Sequence, residues 1–140
     1  DCIVCAVMDA RCSQVYNALF KIKNGVVTRL CDDRALSLDD LKNELLSVDG
    51  RIIIAGDGTD ITCKYIGNEI INAESAPVNL KYQRASSTAL VAFEMINNGQ
   101  TVSAQELMPV YLRLPQAQRE LNKNLEVEQN DSTRMRPRRI

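Results

Sequence analysis

Ile3-Val4-Cys5-Ala6-Val7-Met8, running straight into Asp9-Ala10-Arg11, is the stretch that decides the fold. Its apolar residues follow one another without alternation, which reads as a central strand buried on both faces. One other stretch has this character: Arg51-Ile52-Ile53-Ile54-Ala55, closed by Gly56-Asp57-Gly58. Between the two the period changes. From Gln14 to Lys23, Tyr16, Ala18, Phe20 and Ile22 share one face while Lys21 and Lys23 point the other way. Asn24-Gly25 follows, flanked by strand formers. Both residues tolerate positive φ, so the spacing predicts a type I′ hairpin and a third strand over residues 26–31.

Ser37 opens the first helix. Its hydroxyl can cap the N–H of Asp40, and Asp39 and Asp40 oppose the positive end of the dipole. Leu38, Leu41, Leu45 and Val48 form the apolar stripe, and Gly50 is expected to stop the helix. A short helix is predicted over 59–68 with Ile61 and Tyr65 inward, then a short strand over 70–73 and a loop over 74–82 limited by Pro77. Residues 85–98 read as a helix whose small-residue face, Ala85, Thr88, Ala89, Ala92 and Ile96, could lie close on a sheet. Ser103-Ala104-Gln105-Glu106 is a second capping-box pattern. Residues 109–113 read as extended, 116–126 as a last helix, and 129–140 as a polar tail carrying Arg134, Arg136, Arg138 and Arg139.

The element order is thus β-β-β-α-β-α-β-α. Strands joined by tight turns are antiparallel, and those reached through helices lie parallel to the first by right-handed crossovers. The sheet order that satisfies this is 3-2-1-4-5, which makes the two wholly apolar strands central. The expected architecture is a mixed five-stranded α/β sheet of the ribonuclease-H-like kind, shared by each lobe of the actin-like ATPases. Residues 1–120 would form the lobe and 121–140 an Arg-rich tail. A sequence that starts inside a central strand, with neither an initiator Met nor a signal peptide, is expected to be one lobe of a longer protein.

Composition narrows the chemistry. The 140 residues carry 17 Lys and Arg against 18 Asp and Glu, a balance that argues against a general nucleic-acid or membrane binder. No His is present, which removes Ser-His and Cys-His nucleophile pairs and most catalytic zinc sites. Of the five cysteines, several fall inside apolar strands and read as buried thiols of a reducing cytoplasm. Cys2-x-x-Cys5 has the spacing of a redox or zinc half-site. On a strand, however, residues three apart face opposite ways, and no second pair completes it.

In such a sheet, ligands gather at the carboxyl ends of the central strands. Asp9 and Asp57 should meet there. They read either as turn residues accepting backbone hydrogen bonds or as Mg²⁺ ligands, with Glu44 a conceivable third acid for a two-metal nuclease. Gly56-x-Gly58 reads as turn geometry or as a phosphate cradle, though it lacks the third glycine of the dinucleotide fingerprint and the Lys of a P-loop. Ser86-Ser87-Thr88 begins a helix with no base beside it, and capping explains it better than nucleophilic chemistry. The Arg-rich tail could touch RNA phosphates, but no aromatic is interleaved in it.

Three stretches together resemble the TsaB (YeaZ) family. Val7-Met8-Asp9-Ala10-Arg11 followed by Val15-Tyr16 resembles its "DAR…vY" segment. Gly56-Asp57-Gly58 after an apolar strand is similar to its next signature. Pro109-Val110-Tyr111-Leu112-Arg113, followed by Ala117 and Arg119, resembles its "P-x-YLR…A" ending. The family is a non-catalytic paralogue of the glycoprotease-like TsaD (Gcp) enzymes and helps to form threonylcarbamoyladenosine in tRNA. The resemblance implies a scaffold or allosteric subunit corresponding to the carboxyl-terminal lobe. It would be cytoplasmic, without catalytic residue, metal or cofactor of its own, and would touch tRNA only indirectly. Partners would be TsaD-like and TsaE-like proteins, which use ATP and Mg²⁺, or a second copy, with most contact made by an amino-terminal lobe. Within the resemblance, Asp9 and Arg11 would pair to fix the first turn. Tyr16 and Pro109 belong to the motifs, Tyr111 would bury its ring against the sheet, and Arg113 would bridge to carbonyls or acids of the lobe. Rival readings are an ATPase or phosphotransferase lobe holding Mg-nucleotide between Asp9 and Asp57, and a ribonuclease-H-type nuclease.

Overall fold

The computed structural model describes residues 1–113, and the chain divides into two compact units, Asp1–Pro109 and Val110–Ile140. In the first unit β1 (Cys2–Asp9) and β2 (Gln14–Lys23) pair antiparallel, with Cys5 opposite Leu19. The Asn24-Gly25 turn takes φ of 52° and 76°, both positive as a type I′ hairpin demands, and returns the chain as β3 (Val26–Arg29). A strand the sequence reading did not contain, β4 (Arg34–Ser37), also pairs with β2, Val15 standing opposite Leu36. β3 and β4 therefore share the outer position along β2, separated by residues 30–33. The Leu30 N–H still donates to the Leu19 carbonyl across this break, at 2.8 Å.

α1 (Leu38–Leu46) follows at once. Ser37 is both the end of β4 and the N-cap, its Oγ accepting the Asp40 N–H at 3.0 Å. The helix ends on Ser47, so Gly50 does not stop it and lies instead in the turn to the next strand. That strand, β5 (Ile52–Ala55), runs parallel to β1, with Ile3 opposite Ile52 and Cys5 opposite Ile54. α2 (Thr59–Ile66) turns Thr59, Thr62 and Ile66 inward. Tyr65 faces out and its hydroxyl donates a hydrogen bond to Asp39 Oδ1 at 2.5 Å, which corrects its expected inward placement. The short strand comes later than expected: β6 is Ala73–Ser75, parallel to β5, because Ile52 and Ile53 pair with Ala73 and Glu74. Ile70 is buried in the turn before it and Ile71 is fully in solvent. The expected loop over 74–82 contains one helical turn, α3 (Val78–Lys81), ahead of α4 (Ala85–Asn97).

The sheet order is β3-β2-β1-β5-β6, with β4 beside β2. The expected order holds, with one strand added: a mixed α/β sheet with flanking helices. One face of this sheet carries the core. Cys5 and Val7 of β1, Val15 and Leu19 of β2, and Ile52 and Ile54 of β5 meet Leu38, Leu41 and Leu45 of α1 and Ile66 of α2 in a single cluster. The other face departs from expectation. Val4, Ala6 and Ile53 are only half-buried and Met8 is 43% exposed, because α4 does not lie on them: no residue of α4 is buried. Among the described residues no helix is long and apolar enough to cross a membrane.

Of the second unit only residues 110–113 are described, without regular structure. Tyr111 lies in this second unit, 85% exposed, in a stretch without a strand. The helix expected over 116–126, the lobe boundary at 120 and the Arg-rich tail lie outside the described residues.

Candidate functional site

Because β1 and β5 are parallel and in register through Ala6 and Ala55, Asp9 and the Gly56-Asp57-Gly58 turn emerge side by side. Asp57 Oδ1 accepts the backbone N–H of Asp9 at 3.2 Å. Asp9 in turn accepts the backbone N–H of Arg11 at 2.7 Å and its guanidinium Nη1 at 3.2 Å. The first of these is an Asx turn, the bond by which a short acid steers its own chain. The chain needs that help: Arg11, Cys12 and Ser13 all take positive φ, of 63°, 53° and 56°. The Arg11 side chain is 85% exposed, so its ion pair contributes under about 1 kcal/mol.

The glycines of the turn answer to packing. Gly56 has φ of 116°, and a Cβ there would overlap the Val7 carbonyl oxygen. A Cβ on Gly58 would stand 3.1 Å from the Asp9 nitrogen and the Met8 carbonyl carbon. The turn runs this close because the Gly58 N–H donates to the Val7 carbonyl at 3.2 Å. Gly56 N–H donates to the Lys81 carbonyl at 2.7 Å, and Thr59 Oγ1 to the Gly56 carbonyl at 2.7 Å. The Gly-x-Gly spacing is thus accounted for by the close approach of the turn to β1.

Two residues beside the turn escaped sequence reading. Lys81, its side chain only 11% exposed, donates a hydrogen bond from Nζ to Asp60 Oδ1 at 2.5 Å, a bond that raises the lysine pKa. Gln83 Nε2 reaches the sulfur of Met8 at 3.7 Å. Asp60 carried the ordinary signal of an acid in a first helical turn. Lys81 carried none, because only the fold brings it there.

Glu44 is engaged elsewhere. It accepts from Arg34 Nη2 at 2.5 Å, and Arg34 also donates to Asn17 Oδ1 at 3.0 and 3.2 Å. The buried Asn17 amide then donates to the Ala6 carbonyl at 3.0 Å and to Cys5 Sγ at 3.4 Å. Burial pushes the Cys5 thiol up to about 12, against a smaller downward pull from Asn17. Cys2 and Cys5 stand on opposite faces of β1, opposite Ile22 and Leu19, and all five cysteines are free. Among the described residues no three acids or thiols gather as a metal-holding group. Ser86, Ser87 and Thr88 are exposed in the first turn of α4, where Thr88 Oγ1 bonds back to the Arg84 carbonyl at 3.3 Å. Tyr16 is half-buried opposite Met8, Pro109 is exposed, and Arg113 is half-buried.

No family model and no curated protein matches the chain. Solved structures do. One is a Pseudomonas aeruginosa protein described as uncharacterised with similarity to peptidase YeaZ; it is 19% identical, with a TM-score of 0.54 over 79% of this chain and 49% of that one. Another is YeaZ from the same organism, also 19% identical, with a TM-score of 0.56 and the same coverage. The chain spans about half the length of these structures, and at this identity the likeness is one of fold.

Proposed function

We propose that this chain is a non-catalytic scaffold or allosteric subunit that acts with a TsaD-like enzyme in forming threonylcarbamoyladenosine in tRNA, in the cytoplasm. The YeaZ-like fold supports the reading, as do the family-like segments at Asp9–Tyr16, at Gly56–Gly58 and at Pro109–Arg113. The observation that carries it is the use of the two strand-end acids. Asp57 holds the Asp9 N–H and Asp9 holds the Arg11 N–H, while the glycines seat the turn against Val7. Residues that a nucleotide-using lobe would turn toward Mg²⁺ or phosphate are here bracing β1 against β5. ATP and Mg²⁺ then belong to the TsaD-like and TsaE-like partners.

The test is reconstitution with TsaD-like and TsaE-like proteins and unmodified tRNA, reading modified nucleoside with and without this chain. The expected result is a rise in product that depends on the chain and survives Asp57→Asn. Calorimetry with Mg-ATP and the chain alone should give no binding heat. Saturable heat would favour the phosphotransferase reading instead, and cleavage of a duplex abolished by Asp9→Asn would favour the nuclease.

A further inference from the structure

Between β6 and α4 the chain crosses the end of β5, and polar contacts hold it there. Ala76 is the fixed side of the crossing: it is buried, and its N–H donates to the Ile54 carbonyl at 2.8 Å. Pro77 then leads into α3, the single helical turn that ends on Lys81. The Lys81 carbonyl accepts the Gly56 N–H at 2.7 Å. Its Nζ donates to Asp60 Oδ1 at 2.5 Å and stands 5.3 Å from the centroid of the Tyr82 ring. Gln83 Nε2 reaches the Met8 sulfur at 3.7 Å, a weak contact.

Little apolar burial seals this crossing. Val78, Leu80 and Tyr82 are more than half exposed, and of residues 77–83 only Lys81 is not an exposed residue. Residues 84–109, α4 among them, are exposed throughout. A segment with few buried apolar contacts opens at a free energy well below that of global unfolding. Gly58, two residues beyond Gly56, is held differently. Its N–H donates to the Val7 carbonyl of β1, so that amide belongs to the sheet. Two amides of one turn thus answer to two structures, Gly56 to the crossing segment and Gly58 to β1.

We infer that residues 77–83 form a strap that opens and shuts as a unit about Ala76, with the Lys81–Asp60 pair as its latch. Shut, it caps the Gly56 N–H and holds the start of α4 at the strand ends, beside the junction where Asp57 receives the Asp9 N–H. Open, it uncovers the Gly56 N–H and frees the Lys81 ammonium in one step, and the start of α4 moves with it. The open state is accessible because these groups pass to water and are not left buried without a partner. The strap thereby puts the position of α4 and the exposure of the strand-end turn under one equilibrium, the two-state element that coupling between sites requires. It stands on these contacts and independently of the tRNA-modification reading.

Amide hydrogen exchange of the full chain, followed by NMR at urea concentrations below the unfolding midpoint, tests this. Corrected for intrinsic rates, the Gly56 amide should be protected yet exchange roughly 10-fold or more faster than the Gly58 amide, with little dependence on urea. Gly58 should exchange with the steep urea dependence of global unfolding. Asp60→Asn, at a side chain 75% exposed, should speed Gly56 exchange about 3-fold and leave Gly58 unchanged. Lys81→Met should do the same, and the double variant should not exceed the faster single one, because both remove one bond. Gly56 and Gly58 exchanging together with one urea slope, a Gly56 amide without protection, or Gly56 exchange indifferent to both single variants would each overturn the inference.

Discussion

Replacing Gly56 by Ala separates the two meanings a Gly-x-Gly turn can have. The φ of 116° lies where L residues pay about 1–3 kcal/mol. The new methyl would also meet the Val7 carbonyl oxygen and drive the turn away from β1. That displacement threatens the Gly58-to-Val7 and Asp9-to-Asp57 hydrogen bonds, each worth about 1 kcal/mol net. The sum is about 3–5 kcal/mol, a large part of the stability of a domain of this size. Two companions divide the total. Gly25→Ala has positive φ but open space around it, and should cost about 1 kcal/mol from conformation alone. Gly58→Ala has an ordinary φ of −78° but neighbours at 3.1 Å, and should fall within about 1 kcal/mol of wild type, its sign set by how far the end of β1 gives way. Urea unfolding followed by circular dichroism reads all three, with midpoints compared at constant slope. Should Gly56→Ala cost no more than Gly25→Ala, the close seating of this turn on β1 is wrong.

Three further outcomes follow from the same contacts. Asp57→Ala should lose about 1 kcal/mol, whereas Asp57→Asn, which keeps an acceptor for the Asp9 N–H, should lose less than half of that; equal losses in urea unfolding would mean that charge, not the hydrogen bond, is what matters. Asn17→Ala strips an acceptor from Arg34 and leaves a gap beside Cys5, for an expected cost of about 2–3 kcal/mol by the same measurement; a cost below about 0.5 kcal/mol would remove this network from the account of stability. Cys5 should resist alkylation at pH 8 while exposed Cys12 reacts, as mass spectrometry of digested samples would show. Its folded pKa of about 12 lies above the 9.0 of the unfolded thiol, so the native state keeps a proton that the unfolded state gives up. Stability should therefore fall as pH rises from 9 towards 12, and a Cys5→Ala variant should lack that component of the slope.

What could be read from residues alone was whatever local chemistry decides. The apolar continuity of β1 and β5 announced a central parallel pair, Asn24-Gly25 announced its hairpin, and Ser37 announced its cap. The rest depended on distant partners. Arg34-Ala35-Leu36-Ser37 looks like a lead-in to a helix and becomes β4 only because Gln14–Asn17 stand opposite. Ile70-Ile71 looks like a strand, yet pairing with Ile52–Ile54 selects Ala73–Ser75 and leaves Ile71 in water. At the strand ends, the meeting of Asp9 with Asp57 was legible because parallel register dictates it. The approach of Lys81 to Asp60 was not, because it depends on the path of an irregular segment. The alanine stripe of α4 was visible in the sequence, but stripe chemistry says only that a helix wants a cover, not which surface provides it.

The split of the outermost strand position bears on how copies of this chain avoid one another. An unbroken Val-rich border of the length of β2 would offer a row of unpaired amides on which a foreign strand could grow. Instead β3 and β4 are four residues each, and between them come Asp32 and Asp33, the latter tied to Arg29 at 2.8 Å. Short segments and paired charge at a margin are the means by which natural sheets discourage fibre-like stacking. The interruption works as a guard rail along the flank where exposed Val26 and Val27 would otherwise invite it.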